Sequence, residues 1–155
     1  MPFELCNVDL EIRSDSPLDA IGAYMSGFGN RVFQLYCGEV VEGNHLGAFE
    51  IQWDESDFPD DEDGNPTMPE KWGAIEMIDA FCDLIHGLQG PPLEQWRAAT
   101  SRVFDIGYES NDHCPPLKCA IPLTTLKKIT EVDAEIAFTV YPKSIQHKTP
   151  HPDQE

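Results

Sequence analysis

Three groups of side chains in this sequence have the types and spacing to do chemistry, and the densest is a run of carboxylates. Seven of the ten residues from Asp54 to Asp63 are acidic. A calcium-binding loop of the EF-hand type needs oxygen ligands at its first, third, fifth and twelfth positions and a glycine at the sixth. If Pro59 is taken as the first position, Gly64 falls at the sixth and Glu70 at the twelfth, as required. Pro59 itself, however, offers no side-chain oxygen. The run therefore predicts an acidic loop without a dedicated ion site.

The second group is a stripe of polar side chains on the strongest helical pattern of the chain. Glu76, Asp79, Asp83 and His86 are spaced by three, four and three residues, which places them on one face of a helix. Carboxylates and histidine on one face could hold a metal, but such sites take further ligands from other helices, and the sequence offers no second helix of this kind. The pattern favours a solvent-exposed face, with contact to a basic partner as the main alternative.

The third group is a loop that carries His113, Cys114 and Cys119. Zinc takes four ligands, usually in close pairs, and the Cys-x4-Cys spacing does not match a zinc motif. A cysteine nucleophile needs a neighbouring base and a lowered pKa, which no pattern here supplies. The sequence also lacks a phosphate-binding loop, a nucleophile elbow and a His-Glu-x-x-His motif. We therefore assign no catalytic residue, metal or cofactor, and expect a binding protein more than an enzyme.

Charge is the clearest property of the chain as a whole, whose formal net charge is −18. Residues 1–96 contain 20 acidic and three basic residues, a net charge of −17, whereas residues 97–155 contain eight and seven, a net charge of −1. Such a field repels nucleic acid and anionic lipid and attracts basic proteins. We expect a basic protein partner, and neither a nucleic acid nor a membrane. The sequence leaves the oligomeric state open.

Length and composition predict one domain. The chain has 155 residues, 41% of them hydrophobic, which suffices for a single core. We expect one α+β domain over residues 1–142 and a polar, disordered tail over residues 143–155. Five cysteines form no framework spacing, and neither a secretory signal nor a membrane-length apolar run is present. These features favour a cytoplasmic location.

Hydrophobic periodicity predicts the elements that position these groups. Alternation predicts five strands, near residues 6–12, 33–37, 49–53, 104–108 and 136–140. Helical spacing predicts four helices, near residues 18–25, 75–88, 93–100 and 123–129. The expected fold class is α+β, with a mixed, largely antiparallel five-stranded sheet and helices on one face. Pro17-Leu18 matches Pro122-Leu123 at an offset of 105 residues, which suggests two βαβ units in a pseudo-repeat.

If helices cover the apolar side of this sheet, the alternate residues of each strand face the other side. That face is expected to carry five acids: Asp9, Glu11, Glu50, Asp105 and Glu135. Like charges that oppose each other across strands destabilise a sheet. A chain that keeps them either uses the face for binding or leaves it solvated, and the sequence alone leaves both open.

Short stretches of the predicted strands carry a resemblance. Arg31-Val-Phe-Gln-Leu-Tyr-Cys-Gly, Ala48-Phe-Glu and Arg102-Val-Phe-Asp-Ile-Gly resemble strand signatures of small, functionally uncharacterised bacterial α+β proteins. Some of those proteins resemble the immunity partners of polymorphic and contact-dependent toxins. The resemblance covers residues 3–142 and implies a protein-binding role, with no catalytic residues to carry over.

Together these features predict an acidic, immunity-type inhibitor that neutralises a basic, nuclease-like toxin by charge-complementary binding. A nucleic-acid mimic is a close relative of this idea. The alternative is a metal- or small-ligand-binding module, with or without enzymatic activity, that uses the carboxylate and histidine face of the long helix. The predicted partner-binding residues are Trp53, Asp54, Glu55, Asp57, Phe58, Asp60, Asp61, Glu62, Asp63, Trp72, Glu76, Asp79 and Asp83.

Overall fold

A computed structural model describes residues 3–52, 61–64, 73–110 and 118–142 of the chain. The strands are β1 (Phe3–Ser14), β2 (Val32–Val41), β3 (Asn44–Ile51), β4 (Ser101–Ser110) and β5 (Glu135–Tyr141). The helices are α1 (Asp19–Ser26), α2 (Ala74–His86), α3 (Gly90–Ala98) and α4 (Leu123–Glu131), and a 3-10 turn spans Gly29–Arg31. The predicted tail, residues 143–155, lies outside the described residues. The predicted domain boundary at residue 142 coincides with the last of them.

The five strands form one mixed sheet in the order β2-β3-β1-β4-β5. Three of the four strand pairs are antiparallel, and β4 with β5 is parallel. β2 and β3 form a hairpin, and Gly43 adopts the positive φ of 76° that its tight turn requires. The predicted α+β class, with a five-stranded, largely antiparallel sheet, is confirmed.

Crossover connections set the order of the strands. β4, α4 and β5 form a βαβ unit, because β4 and β5 pair side by side in parallel. β1 and β2 also run parallel, but β3 lies between them and pairs antiparallel with both. The two predicted βαβ units are therefore not alike in their pairing, and the pseudo-repeat stays a hypothesis.

One face of the sheet forms the core with the helices. Alternate residues of the central strand, Val8, Leu10 and Ile12, are fully buried, as strand pleating requires when one face is covered. Phe81 of α2 packs against Phe104 of β4, with ring centroids 5.9 Å apart. Burial of a large apolar side chain stabilises a fold by about 2 kcal/mol, so these positions hold the sheet and helices together.

Helix α4 forms where predicted, but its apolar stripe does not face the core. Leu123 is 68% exposed and Leu126 is 40% exposed, whereas Thr125 and Ile129 are buried. Of the three apolar residues at helical spacing, Leu123, Leu126 and Ile129, only Ile129 is therefore buried. The helix is rotated so that a threonine takes a core position.

A single arginine ties the ends of two helices to the sheet. The guanidinium of Arg102 on β4 donates to the carbonyl oxygens of Trp96 at 2.7 Å and Ala99 at 3.0 Å, at the end of α3. It also donates to the carbonyl oxygen of Asp133, just after α4, at 2.8 Å. The same guanidinium lies 5.7 Å from the centre of the Trp96 ring, within cation–π range. Arg102 therefore joins β4 to the end of the preceding helix α3 and to the end of α4, 31 residues further along the chain.

Candidate functional site

The face of the sheet opposite the helices, which we call the open face, carries a line of carboxylates. Asp9 of the central strand is paired in register with Glu50 of β3 on one side and with Asp105 of β4 on the other. Cβ atoms of directly opposed residues lie about 5 Å apart, so these three side chains form one row across the sheet. We call this set, Glu50, Asp9 and Asp105, the carboxylate row.

The carboxylate row raises the pKa of its middle member. Partial burial, and then the negative charges of Glu50, Glu11 and Asp105, raise the pKa of Asp9 from an ordinary 3.8 to about 6. Asn7 opposes the shift, since its Nδ2 donates to both carboxylate oxygens of Asp9 at 3.1 Å. Within the described chain, no ion pair reaches any carboxylate of the row. Among the residues that the structure describes, the repulsion within the row is therefore not offset by an ion pair.

Two polar side chains and one glycine fix the geometry beside the row. Thr139 of β5 donates from Oγ1 to both oxygens of Asp105, at 2.8 and 2.9 Å. Gly107 lies directly under the amide of Asn7, where a Cβ would collide with the amide oxygen. That close approach requires glycine, because it lets Asn7 lie flat against the sheet and reach Asp9. The carboxylates are thus oriented by the strands on both sides.

Apolar and aromatic side chains surround the acidic centre. Glu11 follows Asp9 on the same face of β1 and lies between Ala48 and Val103 in the register of the sheet. On the edge strand β2, Phe33 lies opposite Glu50 and is 53% exposed, and Tyr36 lies opposite Ala48 and is 41% exposed. Most protein interfaces have an apolar and aromatic centre and a polar rim, so this face has the opposite arrangement, and its attraction for a partner would come from charge. The sheet-face prediction from alternation is confirmed in its placement: Asp9, Glu11, Glu50, Asp105 and Glu135 all lie opposite the core positions in the register.

The predicted stripe on α2 has intramolecular partners along its length. Glu76 accepts a hydrogen bond from the backbone N–H of Gly73 at 2.9 Å, so it caps its own helix. Lys128 of α4 lies 3.8 Å from Asp79 Oδ1 and 3.7 Å from Asp83 Oδ1. Asp83 and His86 are solvent-exposed and Glu76 and Asp79 are partly exposed, and α4 packs beside them and supplies a cation.

The pair between Lys128 and Asp79 is an ionic contact rather than a hydrogen bond. Asp79 Oδ1 is buried and accepts no hydrogen bond from the described residues, and the 3.8 Å separation exceeds hydrogen-bonding distance. Beyond it, His86 Nε2 lies 3.6 Å from Glu131 Oε2. Partly exposed pairs of this kind contribute about 1 kcal/mol or less. The stripe therefore joins α2 to α4, and its role in partner binding stays a prediction.

The acidic run is described only at its end. Asp61, Glu62 and Asp63 are exposed, and the backbone N–H of Asp63 donates to Asp61 Oδ1 at 2.9 Å, so this part is a turn. The remaining predicted members of the loop lie outside the described residues: Trp53, Asp54, Glu55, Asp57, Phe58, Asp60 and Trp72. The run and the carboxylate row are not brought together by any described contact.

Three cysteines whose side chains are described, Cys37, Cys82 and Cys119, are free thiols. Burial, and then the charge of Asp79, raise the pKa of the Cys82 thiol to about 12. Cys119 accepts a hydrogen bond from the hydroxyl of Tyr108 at 3.6 Å, and burial together with this bond raises the pKa of Tyr108 to about 12. His113 and Cys114 lie outside the described residues. Among the residues that are described, no three His, Cys, Asp or Glu side chains are grouped to hold a metal ion.

Comparison with other proteins adds no relative. No protein-family model, no curated protein and no solved structure matches the chain. In the described part of the chain, no helix combines the length and apolar character needed to cross a bilayer. The candidate site therefore rests on geometry and charge alone.

Proposed function

We propose that this protein is an immunity-type inhibitor that neutralises a basic, nuclease-like toxin by charge-complementary binding, and that the open face is its principal binding surface. The observation that carries the proposal is the carboxylate row, which places three acidic side chains side by side on the central strands with no ion pair to any of them among the described residues. A basic partner would supply a cation. The predicted acidic run would add to the field that steers the partner to this face.

Like-charge repulsion at the centre of a sheet costs stability, and polar or apolar substitutes for Asp9, Glu50 and Asp105 would remove that cost. An arginine or lysine of the partner, placed over the row, would turn this unfavourable contribution to the free energy into a favourable one. Each carboxylate would then have an opposite charge beside it in a partly desolvated place. Phe33 and Tyr36, at the margin, offer apolar area to the same partner. A basic partner would therefore supply both the positive charge that the row lacks and the apolar contacts for Phe33 and Tyr36.

The raised pKa of Asp9 gives the proposal a proton signature. A cationic partner stabilises the ionised carboxylate and lowers the pKa of Asp9, so association near pH 6 releases a proton. Calorimetry in buffers of different ionisation enthalpy measures this release. Partner binding through the acidic run or the α2 stripe alone would not involve Asp9, so the proton count would be the same for Asp9→Asn as for the unmodified protein.

The test is affinity capture from the native host with matched variants as bait. Glu50→Gln with Asp105→Asn removes two charges from the row, and Asp15→Asn with Glu42→Gln removes two exposed charges elsewhere. We expect the unmodified protein and the second pair to retain a basic protein whose nuclease activity is inhibited by stoichiometric bait. We expect the first pair to lose at least about tenfold in affinity, more at low salt than at high salt.

Two results would contradict the proposal. One is recovery of no basic protein at either low or physiological salt. The other is equal loss of binding for both variant pairs, which would show that total charge matters and the open face does not. Both variant pairs remove negative charge from an acidic protein, so neither is expected to unfold it.

A further inference from the structure

A second surface, which shares no residue with the carboxylate row, has the features of a small-molecule site. A cleft of about 310 Å³ opens where the ends of α2 and α3 meet the end of α4. Its apolar lining is Ile85, Leu88, Leu93, Trp96 and Val132, and its polar lining is His86, Arg97, Glu131 and Asp133. Ligand pockets range upward from about 300 Å³, so this one suits a small metabolite rather than a large cofactor. We call it the charged cleft.

The back wall of the charged cleft is held in place by hydrogen bonds. The indole Nε1 of the buried Trp96 donates to the carbonyl oxygen of Val132 at 3.0 Å. Arg102 holds the same wall from behind through its bonds to the carbonyl oxygens of Trp96 and Asp133. A site that is already ordered before binding loses less conformational freedom when a ligand enters. The wall therefore has the preorganisation that small ligands need.

Asp133 occupies a backbone position where glycine is the usual residue. It follows α4 with φ of 59°, and its neighbour Ala134 donates to the carbonyl oxygen of Ile129 at 3.1 Å, the bond that closes such helix ends. A left-handed conformation costs a residue with a side chain about 1 kcal/mol, although Asp tolerates it better than most. Glycine would fit the backbone better, so the carboxylate at the cleft is not explained by the helix end.

Arg97 brings a positive charge to the same cleft. It lies in the last turn of α3, and within the described chain its guanidinium makes no ion pair and no hydrogen bond, whereas Arg102 is fully engaged. Glu131, on the other side, lies 3.6 Å from His86. Charges of both signs therefore line one small cleft that has an apolar floor, and the Arg97 guanidinium has donors that no described residue engages.

We infer that the charged cleft binds a small zwitterion with an apolar body, namely a free α-amino acid with an aliphatic or aromatic side chain. Arg97 receives the carboxylate of the ligand, and the carboxylates of Asp133 and Glu131 receive its ammonium group. The side chain of the ligand lies on Leu93, Leu88 and Trp96. This site is separate from the proposed inhibitor function and does not depend on it.

Calorimetric titration at neutral pH with L-leucine and L-phenylalanine tests the inference, each compared with its N-acetyl and its amide derivative. The derivatives remove one charge at a time from the same side chain. We expect the free amino acids to bind and each derivative to bind at least about tenfold more weakly, since each loses a charged hydrogen bond. Absence of binding by both free amino acids up to about 10 mM would overturn the inference.

Three variants locate the site. Arg97→Gln is expected to weaken binding at least about tenfold, and Arg31→Gln, which removes the same charge away from the cleft, is expected to leave it unchanged. Asp133→Gly is expected to raise the melting temperature of the protein while lowering its affinity for both amino acids. A higher melting temperature together with a lower affinity would show that Asp133 acts in binding rather than in stabilising the fold. Equal binding by Asp133→Gly and the unmodified protein, or by N-acetyl-leucine and leucine, would show that the ammonium group is not recognised.

Discussion

Replacement of Asp9 by asparagine should stabilise this protein at neutral and alkaline pH. The substitution keeps the size of the side chain and an oxygen that can accept the hydrogen bond from Asn7, but it removes the middle charge of the carboxylate row. The pKa of Asp9 is raised to about 6, so the folded protein holds a proton that the unfolded chain releases at lower pH. The contribution of Asp9 to stability therefore falls as pH rises from about 4 to about 6, and the cost is fully present above that window.

The magnitude follows from the size of the pKa shift. A rise from 3.8 to about 6 corresponds to about 3 kcal/mol between the two protonation states. Asp9 is only half-buried, and solvent screens part of the interaction, so we expect a gain of ~1–2 kcal/mol for Asp9→Asn near pH 8. Below about pH 4 the unmodified Asp9 is itself uncharged in the folded protein, and the gain should vanish.

Urea unfolding at a series of pH values measures this difference directly. Asp15→Asn is the matched control, because it removes one charge from an exposed position off the carboxylate row. The difference in unfolding free energy between Asp9→Asn and Asp15→Asn should grow between about pH 4 and about pH 6 and then stay constant. A difference that is independent of pH, or a loss of stability near pH 8, would refute the account of the row.

Three further outcomes follow from contacts described above. Arg102→Met removes three charge-assisted hydrogen bonds to main-chain carbonyls and should destabilise the fold by about 3 kcal/mol in urea unfolding, more than Arg102→Lys, which keeps the charge. Gly107→Ala should push Asn7 off Asp9 and raise the pKa of that carboxyl further above its ordinary range, as carbon-detected NMR titration would show. Cys82, buried and with a raised thiol pKa, should resist iodoacetamide at about pH 8 in the folded protein and react after denaturation, as peptide mass mapping would record.

Alternation along the strands was enough to place the acids of the open face. Val8, Leu10 and Ile12 mark the buried side of β1, and Asp9 and Glu11 must then face the other way. The same rule applied to β3, β4 and β5 places Glu50, Asp105 and Glu135. What alternation could not supply is the register, which depends on long-range pairing. The alignment of Glu50, Asp9 and Asp105 in one row became visible only in the structure.

The helices were harder to interpret, because helical spacing tells which residues share a face but not what covers it. Lys128 is one cation among several in the second part of the sequence, and nothing local indicates that it packs against Asp79 and Asp83. Leu123 and Leu126 have core-like spacing, yet they are exposed. The charged cleft joins the ends of three helices, so no local pattern could have predicted it.

The order of the sheet places its earliest strand at its centre. Leu10 of β1 pairs with Phe104 of β4, so the middle of the sheet joins residues that lie far apart in sequence. Contacts of such long range make folding slow, because a large loop must close before β1 has its second neighbour. Until then the hydrogen-bonding edge of β1 that β4 will occupy is available to other chains. Shortening β1 would divide the sheet into a hairpin and a parallel pair, whereas shortening β2 or β5 would only narrow it.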